Sequence, residues 1–129
     1  MNENELIGLL ESLRRMGSDD LSVEVKESAT TLSRDVWETV SAFANTAGGI
    51  IVLGVSERAG FVPVEDFETE KVLNQFVAGM GDAGGRGKLA NPPKYTIERV
   101  ELRGTVVLVI TIEELDPSSK PCYVIERGA

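Results

Sequence analysis

The sequence has no histidine and a single cysteine, Cys122, in 129 residues. Without histidine there is no imidazole general base, no Ser-His-Asp arrangement and no zinc site built on imidazole. One cysteine excludes a disulfide within the chain and a CxxC metal knuckle. Long apolar runs are missing too. The longest, Ile50 to Val55, is interrupted only by Gly54 and is far too short to span a bilayer. The N-terminus, Met1-Asn2-Glu3-Asn4-Glu5, is acidic and lacks the basic start and apolar stretch of a secretory signal. A cytoplasmic protein with no membrane contact is the expectation. Positive charge is scarce: 13 Lys and Arg stand against 21 Asp and Glu, a net of −8, which excludes a coat-like nucleic-acid binder that works by neutralising phosphates over its whole surface.

What is present suits one domain over residues 1–129. The 42% of hydrophobic residues can build a core, and the 26% of charged residues is an ordinary globular share. Leu6, Leu9, Leu10 and Leu13 recur at helical spacing within Glu5 to Met16, with Gly17 as a stop. Leu21, Val23 and Val25 then alternate with Ser22, Glu24 and Lys26, the period of a half-buried strand. Ser33 is the expected N-cap of a second helix, with Val36, Val40, Phe43, Ala44 and Ala47 along one stripe, Trp37 beside it as core packing, and Gly48-Gly49 at its end. The unbroken run Ile50 to Val55 predicts a central strand covered on both faces and parallel to the first.

A short extended piece, Phe61 to Val64, precedes a third helix over Glu68 to Met80, with Val72, Phe76 and Val77 inward. The glycine-rich stretch from Gly79 to Pro93 predicts a mobile loop. Tyr95 to Leu102 and Thr105 to Glu113 predict a hairpin turning at Arg103-Gly104, and Tyr123 to Glu126 begins a last strand. The fold class is therefore α/β, a mixed β-sheet with packed helices. The sequence stops at Arg127-Gly128-Ala129 in mid-element, so a longer protein with a further C-terminal domain is expected.

Three constellations carry chemistry. Asp19, Glu24 and Lys26 set a carboxylate before a strand and Glu-x-Lys on one strand face, with Glu57 after the adjacent strand. Such carboxylates hold Mg²⁺ or Mn²⁺, and a lysine positions or activates water; a solvated surface pair is the plainer reading of Glu24 and Lys26. Second, the segment Ser41 to Gly49 is either a helix end packed tightly on the sheet or, through Asn45, Thr46, Gly48 and Gly49, a ligand contact. Third, the window Arg86 to Arg103 carries a net of +3 and leaves −11 for the remainder. Within it Arg86, Lys88, Lys94 and Arg99 are candidates to grip a nucleic-acid backbone, an ordinary solvated loop being the alternative. It is not a Walker A loop: counting back from Gly87-Lys88, the first glycine position holds Asp82, and Leu89 stands where Ser or Thr belongs. Cys122 reads as a buried small apolar residue, since no histidine exists to activate it.

Val23-Glu24-Val25-Lys26-Glu27-Ser28, then Ser41-Ala42-Phe43-Ala44-Asn45-Thr46-Ala47-Gly48-Gly49, then Ile51-Val52-Leu53-Gly54-Val55, resembles the Schlafen AlbA-like domain, as does Lys120-Pro121-Cys122-Tyr123. The resemblance runs from about Asp19 to Arg127. It implies a nucleic-acid-binding module, for DNA or RNA, of a bacterial transcriptional regulator, with nucleotide binding as an alternative. Animal Schlafens imply a second alternative, a Mg²⁺- or Mn²⁺-dependent endoribonuclease whose carboxylates would fall on Asp19, Glu24 and Glu57. Asp19 replaces the usual Glu and Glu57 the usual Asp, so each reach changes by one methylene, against the strict geometry Mg²⁺ demands. The animal nucleases clamp RNA with two such lobes, which for one lobe implies a homodimer.

Overall fold

The computed structural model describes residues 1–17 and 22–125. The first helix, α1, spans Glu3–Met16 and starts in a capping box: the Asn2 side chain accepts from the Glu5 N–H at 2.8 Å, and Glu5 accepts from the Asn2 N–H at 3.1 Å. It begins two residues earlier than the leucine spacing predicts, because Asn2 supplies the cap. Leu6, Leu10 and Leu13 are its buried stripe.

Four strands form the main sheet: β1 (Val23–Lys26), β2 (Gly49–Leu53), β6 (Tyr95–Leu102) and β7 (Thr105–Ile112). Their order is β1-β2-β7-β6, with β1 and β2 parallel and the other neighbours antiparallel. The predicted mixed sheet and parallel pair are present. Because side chains alternate along a strand, the sheet feeds two cores. Val52, Val107, Val109, Val100 and Leu102 pack with α1 on one face. Ile51, Leu53, Leu108, Ile110 and Ile112 pack on the other with α2 (Val36–Asn45) and α3 (Thr69–Gly79). Burying each such aliphatic side chain contributes about 1.5–3 kcal/mol.

The structure departs from the sequence pattern in several places. Ser33 does not cap α2. Its N–H donates to the Ser28 hydroxyl at 3.1 Å, and the two hydroxyls lie 2.9 Å apart. Asp35 holds the cap position without a capping bond, its carboxylate lying 3.2 Å from the Lys26 ammonium. The helix ends at Asn45, so Ala47 lies beyond it and is exposed. The run Ile50 to Val55 is not one strand. Gly54 has φ of +97° and the Phe67 ring sits where a Cβ would be, so the chain breaks there. It restarts as β3 (Val55–Ser56), paired antiparallel with β4 (Val62–Pro63). In α3, Val72 and Phe76 are buried but Val77 is only half-buried.

The stretch from Gly79 to Pro93 is not a featureless loop. It contains β5 (Leu89–Ala90), which pairs with β8 (Tyr123–Val124), and Leu89 is buried in the α2/α3 core. Two-residue strands leave no periodic trace, which hides them in the sequence. Among the described residues no helix is long and apolar enough to cross a membrane.

Candidate functional site

An open groove of about 590 Å³, with one sign of charge in its lining, lies between the start of α2 and the end of α3. Arg34 stands on one side, Arg86 and Lys88 on the other, and Trp37, Gln75 and Gly79 lie between them. No acidic residue lines it. All three cations are exposed. Among the described residues none of the three forms an ion pair.

Both walls are fixed by the backbone. On the Arg34 side, the Leu32 N–H donates to the side-chain amide oxygen of Gln75 at 2.8 Å, and the Glu68 N–H donates to the Ala29 carbonyl at 3.0 Å. On the other side, the chain leaving α3 folds back so that the Lys88 N–H donates to the Gly79 carbonyl at 2.6 Å. Gly79 is demanded by packing: a Cβ there would run into the Trp37 ring. Trp37 in turn stacks on Phe76 with centroids 5.3 Å apart, as the sequence reading of it as core requires.

The predicted basic window is only partly one surface. Arg86 and Lys88 share the groove. Lys94 lies elsewhere, lining hollows with Pro92 and Glu113. Arg99 is bound through two 2.7 Å hydrogen bonds to Glu70, so its guanidinium is already matched to a carboxylate. That contact holds the Glu70 carboxyl below its usual range and raises Arg99. Arg34 was not anticipated at all. A usable signal existed: a cation just before a helix N-terminus opposes the helix dipole, a local conflict that calls for another purpose.

The carboxylate constellation is partly assembled. Glu24 and Glu57 line one small hollow of about 30 Å³ with Leu13, Val23, Val25 and Phe61, room enough for water. Asp19 lies outside the described residues, and among the described residues no three acidic, His or Cys side chains stand together as a metal site. Lys26 does share a face with Glu24, at 3.6 Å, but its side chain is only 9% exposed and lies closer to Asp35, at 3.2 Å.

Asn45 has a structural task. Its amide N–H donates to the Cys122 carbonyl at 2.8 Å and its oxygen accepts the Cys122 N–H at 2.7 Å, tying α2 to the approach to β8. The Thr46 hydroxyl donates to the Ala42 carbonyl at 2.8 Å. Gly48 has φ of +76° and, with a Cβ, would meet the Ile112 carbonyl at 2.6 Å; Gly49 lies against the Phe43 ring. Asn45, Gly48 and Gly49 thus take part in close packing, the first of the two readings their sequence allows, while Thr46 is exposed at the end of α2. Cys122 is buried, and burial pushes its thiol up.

A family model described as Schlafen, AlbA_2 matches residues 19–126. This chain belongs to the Schlafen AlbA_2 family. The match begins at Asp19 and so takes in the groove and both carboxylates of the hollow, leaving α1 outside it. The Schlafen AlbA_2 fold is shared with a solution NMR structure, the N-terminal domain of a RecG-related protein from Nitrosomonas europaea. It is 25% identical, with a TM-score of 0.72 over 95% of this chain and 81% of that one. The crystal structure of the DIP2311 protein from Corynebacterium diphtheriae is 16% identical, with a TM-score of 0.44 over 94% of this chain and 24% of that one. No curated protein matches the sequence.

Proposed function

We propose that this Schlafen AlbA_2 domain is the nucleic-acid-binding module of a bacterial transcriptional regulator, and that nucleic acid lies in the Arg34–Arg86–Lys88 groove. The observation that carries this reading is three exposed cations, drawn from two distant stretches of chain, around one groove without a lining acid. In a chain with a net charge of −8 such a grouping is not a by-product of composition. Like charges held together repel, so their clustering is favoured by an anionic ligand. The relative from Nitrosomonas europaea, described as RecG-related, supports an association with nucleic acid.

The test is anisotropy titration of labelled DNA and RNA, single- and double-stranded, over a range of salt. Affinity should fall as salt rises. Changing Arg34, Arg86 and Lys88 together to Ala should reduce the slope of log K against log salt by about 2 on a single strand, from about 0.7 per phosphate contact. Unchanged affinity in the triple variant would remove the groove from the interface.

A second reading, a divalent-metal endoribonuclease, rests on Glu24 and Glu57 sharing one hollow. The two carboxylates would bind Mg²⁺ or Mn²⁺ together with Asp19, and the bound metal would supply Lewis-acid activation of water. Cleavage of tRNA in Mn²⁺ that Glu24→Gln abolishes would establish it. Intact tRNA in both metals would dismiss it.

A further inference from the structure

We infer that the groove reads phosphate and does not tell adenine from thymine; this rests on the proposed function and sharpens what the groove recognises. The argument begins with its hydrogen-bonding inventory. Arg34, Arg86 and Lys88 are donors only. Gln75 has one acceptor, its amide oxygen, and that oxygen takes the Leu32 N–H at 2.8 Å, which leaves the NH₂ as the end with spare capacity. Among the polar side chains that line the groove, the Thr31 hydroxyl is the one that keeps an accepting role. A phosphodiester is an acceptor only, whereas the pairing edges of adenine and thymine mix donors with acceptors, guanine's O6/N7 edge being an acceptor-only exception. A donor lining matches the first and leaves half of the second unanswered.

Stacking on an aromatic ring is closed off as well. Nucleic-acid grooves that hold bases do so on aromatic faces. The one ring here, Trp37, is 8% exposed, stacked on Phe76, and in close contact with Gly79. It forms the floor and offers no platform for a base.

The experiment compares the full chain's affinity for oligo(dT), oligo(dA) and an abasic tetrahydrofuran oligomer of equal length, at one salt concentration. The three should agree within about threefold, because a single stacked base alone would contribute about fivefold to a hundredfold. Gln75→Glu keeps an acceptor for Leu32 and replaces a donor by an anion. It should weaken binding of all three alike, by about fivefold, with an unchanged thermal midpoint. Loss of abasic binding, or a preference above tenfold between dT and dA, would overturn the inference while leaving the groove as the nucleic-acid site. If none of the three binds, the proposed function itself fails and the inference falls with it.

Discussion

Two charged regions lie on this domain, and they treat charge in opposite ways. Around Lys26 opposite charges meet: the ammonium lies between Glu24 and Asp35, while Glu27 accepts from Ser56 and faces Arg58. Around Arg86 the cations gather without an answering acid. The first arrangement is what a folded surface does by itself, since opposite charges that meet need nothing further. The second raises the energy of the free protein and is relieved from outside. The contrast separates a charge cluster that serves the fold from one that serves a ligand, and neither formal charge nor spacing in the sequence makes that distinction.

The strongest way to break the contrast is to install acids in the groove. Arg86→Glu with Lys88→Glu should lower nucleic-acid affinity more than about a hundredfold, and leave the urea unfolding midpoint unchanged or raised. The reciprocal change is Lys26→Met. It should cost about 1 kcal/mol of stability, read from urea unfolding, with nucleic-acid affinity unaltered. A loss of affinity there would mean that the two regions form one interface.

Smaller effects sharpen it through pH. Burial first, and the 2.6 Å hydrogen bond to Asp82 second, push the Tyr95 hydroxyl up to about 12. A folded value above the unfolded one means that this stabilisation is complete below about pH 10 and is lost as pH rises towards about 12. Tyr95→Phe should flatten that alkaline decline in thermal midpoint and leave the groove's affinity at neutral pH intact. The least change is expected from Arg99→Ala. Glu70 is held low by Arg99, so their contribution is present above the ordinary Glu value of 4.5 and fades below it. The variant should show a slightly shallower loss of thermal midpoint on acidification. Its affinity should match wild type, because a guanidinium already paired with Glu70 has little left for phosphate.

The parts of the fold legible in the sequence are those written in local periodicity. The leucines of α1, the alternation in β1, the apolar run of β2 and the β6–β7 hairpin each repeat within one element. What depends on distant partners was not legible. Asp35 is drawn from its capping position to Lys26, β5 is a strand only because Tyr123 and Val124 lie beside it, and the Gly54 break answers the ring of Phe67. The candidate site shows the same division. Arg86 and Lys88 stood out in a basic window, but that window also swept in Arg99, committed to Glu70, and Lys94, on another surface. Arg34 carried only the faint signal of a cation before a helix N-terminus, because its companions arrive only when α2 and α3 pack together. Asn45 was noticed for its motif, while its two bonds to Cys122 could be seen only in three dimensions.

The backbone at Lys88 has a consequence of its own. Its N–H is held by Gly79 at 2.6 Å and its carbonyl accepts the Ile125 N–H at 2.8 Å, so the peptide on both sides of this residue is pinned while the ammonium stands exposed. Ordering a flexible loop would cost an incoming strand about 1–2 kcal/mol per residue in lost backbone freedom. At Lys88 that loss has already been taken during folding, and only side-chain rotation remains to be surrendered. A glycine-rich segment, whose composition suggests slack, thus presents its charge from a rigid mount.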